Sequence, residues 1–152
     1  NGAGKTTCFN VITGFYKATN GSVRWHEAEI LGSTMNELAL KGLVRTYQHT
    51  SLFPTQTVFQ NIMIGAHKIA YKPLLSHLLY TKRLRNSEKQ LTDRANEILE
   101  FMGMDADRGL LAANLPYVSQ RRLEIAIALV ADPELLLLDE PAAGMNPSEA
   151  EQ

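Results

Sequence analysis

The feature that most constrains the fold is a glycine-rich segment that runs directly into a helical pattern. Residues 1–7 match the last part of the phosphate-binding motif G-x-x-x-x-G-K-[ST], known as Walker A, whose first glycine would precede residue 1. Glycines let backbone N–H groups close around a phosphate, and a helix N-terminus adds partial positive charge. Lys5 would reach the β- and γ-phosphates of a nucleotide, and the Thr6 hydroxyl would bind Mg²⁺. An ordinary helix start beside a lysine is the alternative.

A run of four leucines followed by two carboxylates is the second constraint. Residues 135–138 predict a buried parallel strand. Asp139 and Glu140 follow at the carboxyl edge of the sheet, where ligands bind in open α/β folds. Asp139 would bind Mg²⁺ through water, and Glu140 would act as general base on the attacking water. The alternative, a solvent-exposed acidic pair, is disfavoured because the Walker A segment lies in the same chain.

Hydrophobic periodicity between these two motifs predicts a mixture of helices and short strands, with a mostly helical stretch over residues 49–114. Gly14 and Gly103 are expected to end helices. The order of elements therefore predicts an α/β fold with a helical subdomain. The predicted helices lie at 6–13, 58–66, 91–102 and 122–131, with an apolar helical stripe at 74–79, and the predicted strands before the leucine run lie at 22–25 and 43–47.

Composition and charge exclude several classes of protein. The 152 residues are 45% hydrophobic and carry a formal charge of −1, which is ordinary for a globular domain and gives no reason to expect nucleic acid as the main partner. The longest apolar run, at 125–131, is too short to span a bilayer. The single Cys8 cannot form an internal disulfide. Because the chain begins inside a motif and ends at Gln152 in a polar stretch, we expect a domain truncated at both ends.

The order of motifs resembles that of the nucleotide-binding subunit of ABC transporters over essentially the whole chain. Walker A is followed by Gln48, by a signature-like segment at 115–119 and by Leu-Leu-Leu-Leu-Asp-Glu-Pro at 135–141. Asp-Glu-Pro directly after the strand separates the sequence from small GTPases and most P-loop kinases. The resemblance implies an α/β fold: a P-loop NTPase (RecA-like) core with an inserted α-helical subdomain. This partial domain, 1–152, would divide into a core at 1–48 and 125–152 and a helical subdomain, with the signature segment, at 49–124.

The resemblance also implies roles for individual residues. Gln48 would contact both Mg²⁺ and the attacking water, and its loop would face the membrane subunits. Glu140, Gln48 and Lys5 would be catalytic. Thr6, Gln48 and Asp139 would bind the metal. The residues implied to contact ATP are Asn1, Gly2, Ala3, Gly4, Lys5, Thr6, Thr7 and Gln48 in the subunit itself, with Tyr117, Val118 and Ser119 acting on the ATP of a partner subunit.

The signature-like segment departs from the family pattern L-S-G-G-Q. Residues 115–119 read Leu-Pro-Tyr-Val-Ser, and because Leu-x-Tyr-Gly forms are familiar in amino-acid importers, Val118 is the anomaly. A β-branched residue resists positive φ and adds bulk where the backbone would approach phosphate. We therefore expect a weakened site for the partner's ATP. In the position of the family's D-loop, Asn146 replaces the usual Asp.

Within the family, the sequence is most similar to the ATPase of branched-chain amino acid importers, on the stretches at 14–16, 44–48, 120–126 and 141–144. This resemblance implies Mg²⁺-dependent ATP hydrolysis that powers import. The implied partners are a second ATP-binding subunit in a homo- or heterodimer, transmembrane permease subunits and, indirectly, a periplasmic or extracellular substrate-binding protein, but no nucleic acid. The protein would lie peripherally on the cytoplasmic face of the inner (plasma) membrane.

Two other functions stay open at this point. The degenerate signature would suit a regulatory module that binds ATP but hydrolyses it weakly, although Glu140 argues against this. An ABC exporter ATPase for lipid or polysaccharide would share these motifs, because partner subunits choose the substrate. Residues 1–152 alone are expected neither to fold cooperatively nor to hydrolyse ATP.

Overall fold

The computed structural model describes residues 3–46, 52–69 and 82–139. Gln48, the predicted apolar stripe at 74–79 and the residues from Glu140 onward lie outside the described residues. The α-helices and strands, in chain order, are α1 (Lys5–Ile12), β1 (Arg24–Trp25), β2 (Ala28–Glu29), α2 (Met35–Leu40), β3 (Leu43–Arg45), α3 (Val58–Ile69), α4 (Lys82–Phe101), α5 (Tyr117–Leu129) and β4 (Leu135–Leu137), with two 3-10 helices, Asp105–Asp107 and Ala112–Asn114, between α4 and α5.

Strands β3 and β4 form a parallel pair that places two charged residues at one edge. Leu43 lies opposite Leu135, and Arg45 lies opposite Leu137, which confirms the predicted parallel strand. The side chains of β4 are half-buried rather than buried, because β3 is its one paired neighbour among the described residues. Since parallel strands end at the same edge, Arg45 and Asp139 come together there. The buried residues of the small apolar core beside this pair, the sheet cluster, are Ile30, Leu38 and Leu43.

Strand β2 and helix α2 are not among the elements predicted from the sequence. The predicted strand at 22–25 is observed as Arg24–Trp25, which turns back into β2 as an antiparallel hairpin. The turn residues His26 and Glu27 have φ of 47° and 62°, left-handed values that such turns require and that Asn or Gly usually supplies. Helix α2 begins with a capping box: Thr34 Oγ1 accepts from the Glu37 N–H, and the Glu37 carboxylate accepts from the Thr34 N–H.

Helices α3, α4 and α5 pack around a shared apolar core, the helical cluster. Helices α3 and α5 lie close together at Gly65, where a Cβ would lie 2.8 Å from Cγ2 of Ile127 on α5. Close packing of this kind explains why these helices have little room for larger side chains. The buried residues of the helical cluster are Val58, Ile62, Ala66, Ala95, Ile98, Leu99, Met104, Ala112, Leu115, Leu123, Ala126 and Val130.

The helices confirm the predicted periodicity, with different ends. Helix α3 continues beyond the predicted end to Ile69, α4 begins at Lys82, and α5 runs from Tyr117 to Leu129. Gly14 and Gly103 follow α1 and α4 with φ of 71° and 64°, which confirms them as helix stops. None of the described helices is both long and apolar enough to cross a bilayer.

Candidate functional site

The end of the Walker A segment forms the N-terminus of α1. Gly4 is the N-cap residue, with φ of 78°, a left-handed value that strains residues with a Cβ. A Cβ at Gly4 would meet no described atom within 4 Å, so the described residues leave room for an approaching group beside the first turn. Among the described residues no side chain caps this helix, and its first turn holds no acidic residue. The first N–H groups of α1 are therefore available to a ligand.

The predicted phosphate-binding residues lie around this open end. Ala3, Lys5 and Thr7 are exposed, and Thr6 is half-buried. Asn1 and Gly2 lie outside the described residues. The ammonium group of Lys5 and the positive end of the helix dipole both favour an anion, so the arrangement is chemically suited to phosphate.

The buried guanidinium of Arg45 links α1 to the carboxyl end of β4. We call Arg45 and its partners Asn10, Thr13 and Asp139 the Arg45 junction. Nη2 of Arg45 donates to Oδ2 of Asp139 over 2.8 Å. Nη1 donates to Oδ1 of Asn10 over 2.8 Å and to Oγ1 of Thr13 over 3.0 Å. The guanidinium carbon also lies 5.5 Å from the centre of the Phe9 ring. One side chain of β3 thereby joins the Walker A helix to the predicted metal-binding carboxylate.

Asp139 is buried at this junction. The exposed fraction of its side chain is 4%, and that of Arg45 is 5%. A carboxylate so far from water needs a charged hydrogen-bond partner, and Arg45 supplies one. The alternative of a solvent-exposed acid is therefore wrong for Asp139, while Glu140 lies outside the described residues.

Arg45 is the important side chain that the sequence did not identify as part of a site. It was noted within a family-like string at 44–48, without a role. A charged residue inside a predicted strand is the signal that could have identified it, since buried strands seldom carry an unpaired charge. Its partners lie 32 to 94 residues away in the sequence, so only the structure identifies them.

The signature-like segment lies in the other half of the molecule, at the start of α5. Pro116 is the N-cap residue, and Tyr117, Val118 and Ser119 form the first turn. Helix α5 contributes Leu123 to the helical cluster. The structure therefore presents these three predicted ligand residues at a helix N-terminus.

The backbone of Val118 is helical and needs no positive φ. Val118 lies inside α5, and it is absent from the described non-glycine residues with positive φ, which are His26, Glu27 and Asp132. A β-branched residue is tolerated in the first turn of a helix because it needs no left-handed conformation there. The bulk of the side chain is what remains of the argument for a weakened site.

Tyr117 is held in place by a neighbour one turn along α5. Nε of Arg121 donates to the Tyr117 hydroxyl over 3.0 Å, and Nη1 donates to Oε2 of Glu124 over 2.7 Å. The Glu124 hydrogen bond, followed by that to Tyr117, raises the pKa of Arg121 above its ordinary value. The Tyr117 ring remains 44% exposed, so this turn presents an oriented aromatic surface.

Comparison with known proteins identifies relatives of this arrangement. The family model described as "ABC transporter" matches residues 1–143. The high-affinity branched-chain amino acid transport ATP-binding protein LivG of Salmonella typhimurium is 45% identical over 152 residues, 100% of this chain and 60% of LivG. The corresponding BraF protein of Pseudomonas aeruginosa is 41% identical over 151 residues, 99% of this chain and 59% of BraF. The chain thus spans about 60% of the length of these relatives.

A solved structure shares the fold. The ADP conformation of an ATP-binding cassette of an ABC transporter superimposes with a TM-score of 0.81 at 34% identity, over 99% of this chain and 59% of that one. This likeness confirms the predicted α/β fold of the P-loop NTPase class. Together with the family match, it confirms the resemblance drawn from the motifs: the chain belongs to the ABC transporter family.

Proposed function

We propose that this chain binds and hydrolyses ATP to power an ABC importer of branched-chain amino acids. The observation that carries the proposal is the Arg45 junction, which ties the helix that begins with Gly4 and Lys5 to the buried carboxylate of Asp139. A phosphate-binding helix beside a strand-end carboxylate suits phosphoryl transfer, which depends on positioning and charge neutralisation. The names of LivG and BraF, which specify branched-chain amino acid transport, support the substrate class.

The proposed roles follow the motifs. Lys5 neutralises charge on the β- and γ-phosphates, Gln48 orients the attacking water, and Glu140 accepts its proton. The residues proposed to hold ATP are Asn1, Gly2, Ala3, Gly4, Lys5, Thr6, Thr7 and Gln48, with Tyr117, Val118 and Ser119 on the ATP of the partner subunit.

The described side chains fit Mg²⁺. The Thr6 hydroxyl and the Asp139 carboxylate are hard oxygen donors, the type that Mg²⁺ prefers. Because Oδ2 of Asp139 already accepts from Arg45, a role through bound water suits it better than bidentate ligation. Thr6, Gln48 and Asp139 would hold the ion, which would neutralise phosphate charge.

The proposed assembly follows from the family. Two ATP-binding subunits, identical or different, would enclose ATP between the Walker A segment of one and the signature segment of the other. Transmembrane permease subunits would be moved by their closure, and a periplasmic or extracellular substrate-binding protein would act indirectly. The protein would lie on the cytoplasmic face of the inner membrane. The proposed domain division is a core at 1–48 and 125–152 with a helical subdomain at 49–124.

Neither alternative is favoured by the relatives. An exporter of lipid or polysaccharide disagrees with the transport named for LivG and BraF. A weakly hydrolysing regulatory module depended on Val118, whose backbone is helical. Its remaining support, the bulk at position 118, is tested by Val118→Gly in the full-length protein: ATP turnover should rise, and an unchanged turnover would show that this bulk does not limit hydrolysis.

The decisive experiment removes the proposed base. In the full-length protein, Glu140→Gln should lower ATP turnover by about 10²–10⁴-fold, measured as phosphate release, and should trap an ATP-bound dimer detectable by size-exclusion chromatography. The matched control is Glu134→Gln, because the Glu134 side chain is 60% exposed and pairs with His26. Normal turnover in Glu140→Gln would remove Glu140 from the role of base.

A further inference from the structure

We propose that Arg45 is a positioning residue for magnesium: its guanidinium fixes the orientation of the Asp139 carboxylate relative to α1. The inference rests on the proposed function, because it concerns the same nucleotide site. It adds a residue that touches neither the phosphate nor the metal and acts through Asp139.

The Arg45 guanidinium donates to three side chains, two on the α1 end and one after β4. The guanidinium is planar and rigid, so its donors point in set directions. Nη1 is shared between Asn10 and Thr13, three residues apart on one face of the α1 end, while Nη2 reaches Asp139. A turn of the carboxylate away from Nη2 would cost the buried Asp139 charge this hydrogen bond. The position of α1 therefore determines where the Asp139 oxygens lie.

The same helix carries the proposed metal and phosphate residues. Thr6 precedes Asn10 by one helical turn, about 6 Å along the axis. Because a helix of this length is stiff, fixing Asn10 against Arg45 also fixes Thr6 relative to Asp139. The junction thus holds together two groups that are proposed to act on one ion.

The burial of the pair distinguishes this role from simple stabilisation. Replacing a buried ion pair by apolar residues is often neutral or stabilising, so stability alone does not explain a pair whose side chains are 4% and 5% exposed. Hydrogen-bond partners that orient metal-binding groups typically change metal affinity by about 10–100-fold when removed. We expect an effect of that size in the contribution of Mg²⁺ to nucleotide binding.

The test measures binding, not turnover. In the full-length protein, a fluorescent ATP analogue is titrated first in EDTA and then at increasing MgCl₂. Arg45→Met should reduce the gain in affinity from Mg²⁺ by about 10–100-fold, and the affinity in EDTA should change by less. Arg45→Lys keeps the charge but loses the paired Nη1 and Nη2 donors of the guanidinium. Asn10→Ala removes one of the acceptors of Nη1. Both should lower the Mg²⁺ gain in the same direction by less, and they serve if Arg45→Met does not fold.

The matched control is Arg94→Met, because Arg94 also donates to an aspartate, Asp132, over 2.8 Å but lies on α4. It should leave the Mg²⁺ gain unchanged. An unchanged or increased gain in the Arg45 variants would overturn the proposal, as would an equal loss in Arg94→Met. If the unaltered protein bound no ATP, the proposed function itself would fail. If it bound ATP in a Mg²⁺-dependent way that the Arg45 variants did not change, the role of Arg45 alone would fail.

Discussion

Among the described residues, twelve buried apolar side chains hold α3, α4 and α5 together, whereas the core beside β3 and β4 has three. The region of β3, β4 and α2, which we call the strand region, instead contains the Arg45 junction, whose ion pair is almost completely buried. The region of α3, α4 and α5, which we call the helical region, is therefore stabilised mainly by removal of apolar surface from water. The strand region gives up interior volume to a charged pair, and replacing such a pair by apolar residues is often neutral or stabilising.

The two regions differ in how strictly they depend on the identity of their side chains. Apolar packing tolerates substitution as long as volume and pattern are kept, so the helical cluster specifies a shape. The Arg45 junction depends on particular donors and acceptors at particular distances, so it specifies an arrangement of chemical groups. Mutations in the first region should change stability, and mutations in the second should change ion and nucleotide binding.

The largest expected effect is a cavity in the helical cluster. Leu99 on α4 is fully buried, and Leu99→Ala should lower the free energy of unfolding by about 2–5 kcal/mol through lost burial and the cavity left behind. Denaturant unfolding of the full-length protein measures it. Phe101→Ala on the same helix is the control, because Phe101 is 78% exposed and should change stability by about 0.5 kcal/mol or less. Equal effects would contradict the packing described for α4.

The next effect comes from a polar side chain inside the helical region. Asn61 of α3 is buried; its Oδ1 accepts from the Phe53 N–H over 2.8 Å, and its Nδ2 donates to the carbonyls of Phe53, Gln56 and Thr57. Asn61→Ala should lower the free energy of unfolding by about 1–3 kcal/mol for the groups left unsatisfied. It should also increase hydrogen exchange of the Phe53 amide.

A matched variant checks that prediction. Asn96→Ala removes a single hydrogen bond from Arg108, 2.7 Å long and exposed, so its cost should be clearly smaller. If both variants cost the same, Asn61 does not anchor the segment at 53–57, and the helical region would then be held by apolar contacts alone.

Sequence reasoning succeeded where the signal was local and long. The helices α3, α4 and α5 follow from apolar periodicity, and the β4 strand follows from a run of leucines. Helix α2 was missed although Thr34 and Glu37 show the capping-box spacing, because six residues are too few for a periodic pattern. The hairpin turn was missed because His26 and Glu27 are unusual residues for positive φ.

The candidate site divides in the same way. Gly4, Lys5 and Thr6 are identified by the Walker A motif, and Asp139 by the leucine run before it. Within each motif the spacing of residues is fixed by local backbone geometry. Arg45 could not be assigned a partner, because Asp139 lies 94 residues away and the contact is set by strand pairing. The helical backbone of Val118 was not evident from the family pattern, because a comparison with glycine says which residue is absent, not which conformation the new residue adopts.

A smaller effect tests how tightly α3 and α5 meet. A Cβ at Gly65 would lie 2.8 Å from Cγ2 and 3.0 Å from the carbonyl oxygen of Ile127. Gly65→Ala should therefore lower the free energy of unfolding by about 1–3 kcal/mol from overpacking, less up to about 1 kcal/mol gained in helix propensity. Gly109→Ala is the control, since a Cβ there meets nothing within 4 Å. A stabilised Gly65→Ala would mean that the helices can separate freely.

The smallest effect concerns the strand region and depends on pH. The Thr34 N–H and hydroxyl donate to Oε2 of Glu37 over 2.7 and 2.9 Å; the backbone hydrogen bond first, and the hydroxyl second, lower the pKa of Glu37 from its ordinary value of 4.5. Because the folded pKa is the lower one, this stabilisation is present above pH 4.5 and is lost as the pH falls through the folded pKa. Denaturant midpoints measured across this range should show the loss.

The variant that isolates this charge is Glu37→Gln, since glutamine also completes a capping box. The difference in stability between the unaltered protein and Glu37→Gln should shrink as the pH falls below 4.5. Thr34→Ala should instead cost about 0.5–2 kcal/mol near neutral pH, because the N-cap acceptor itself is lost. A difference that stayed constant with pH would show that the Glu37 charge does not stabilise α2.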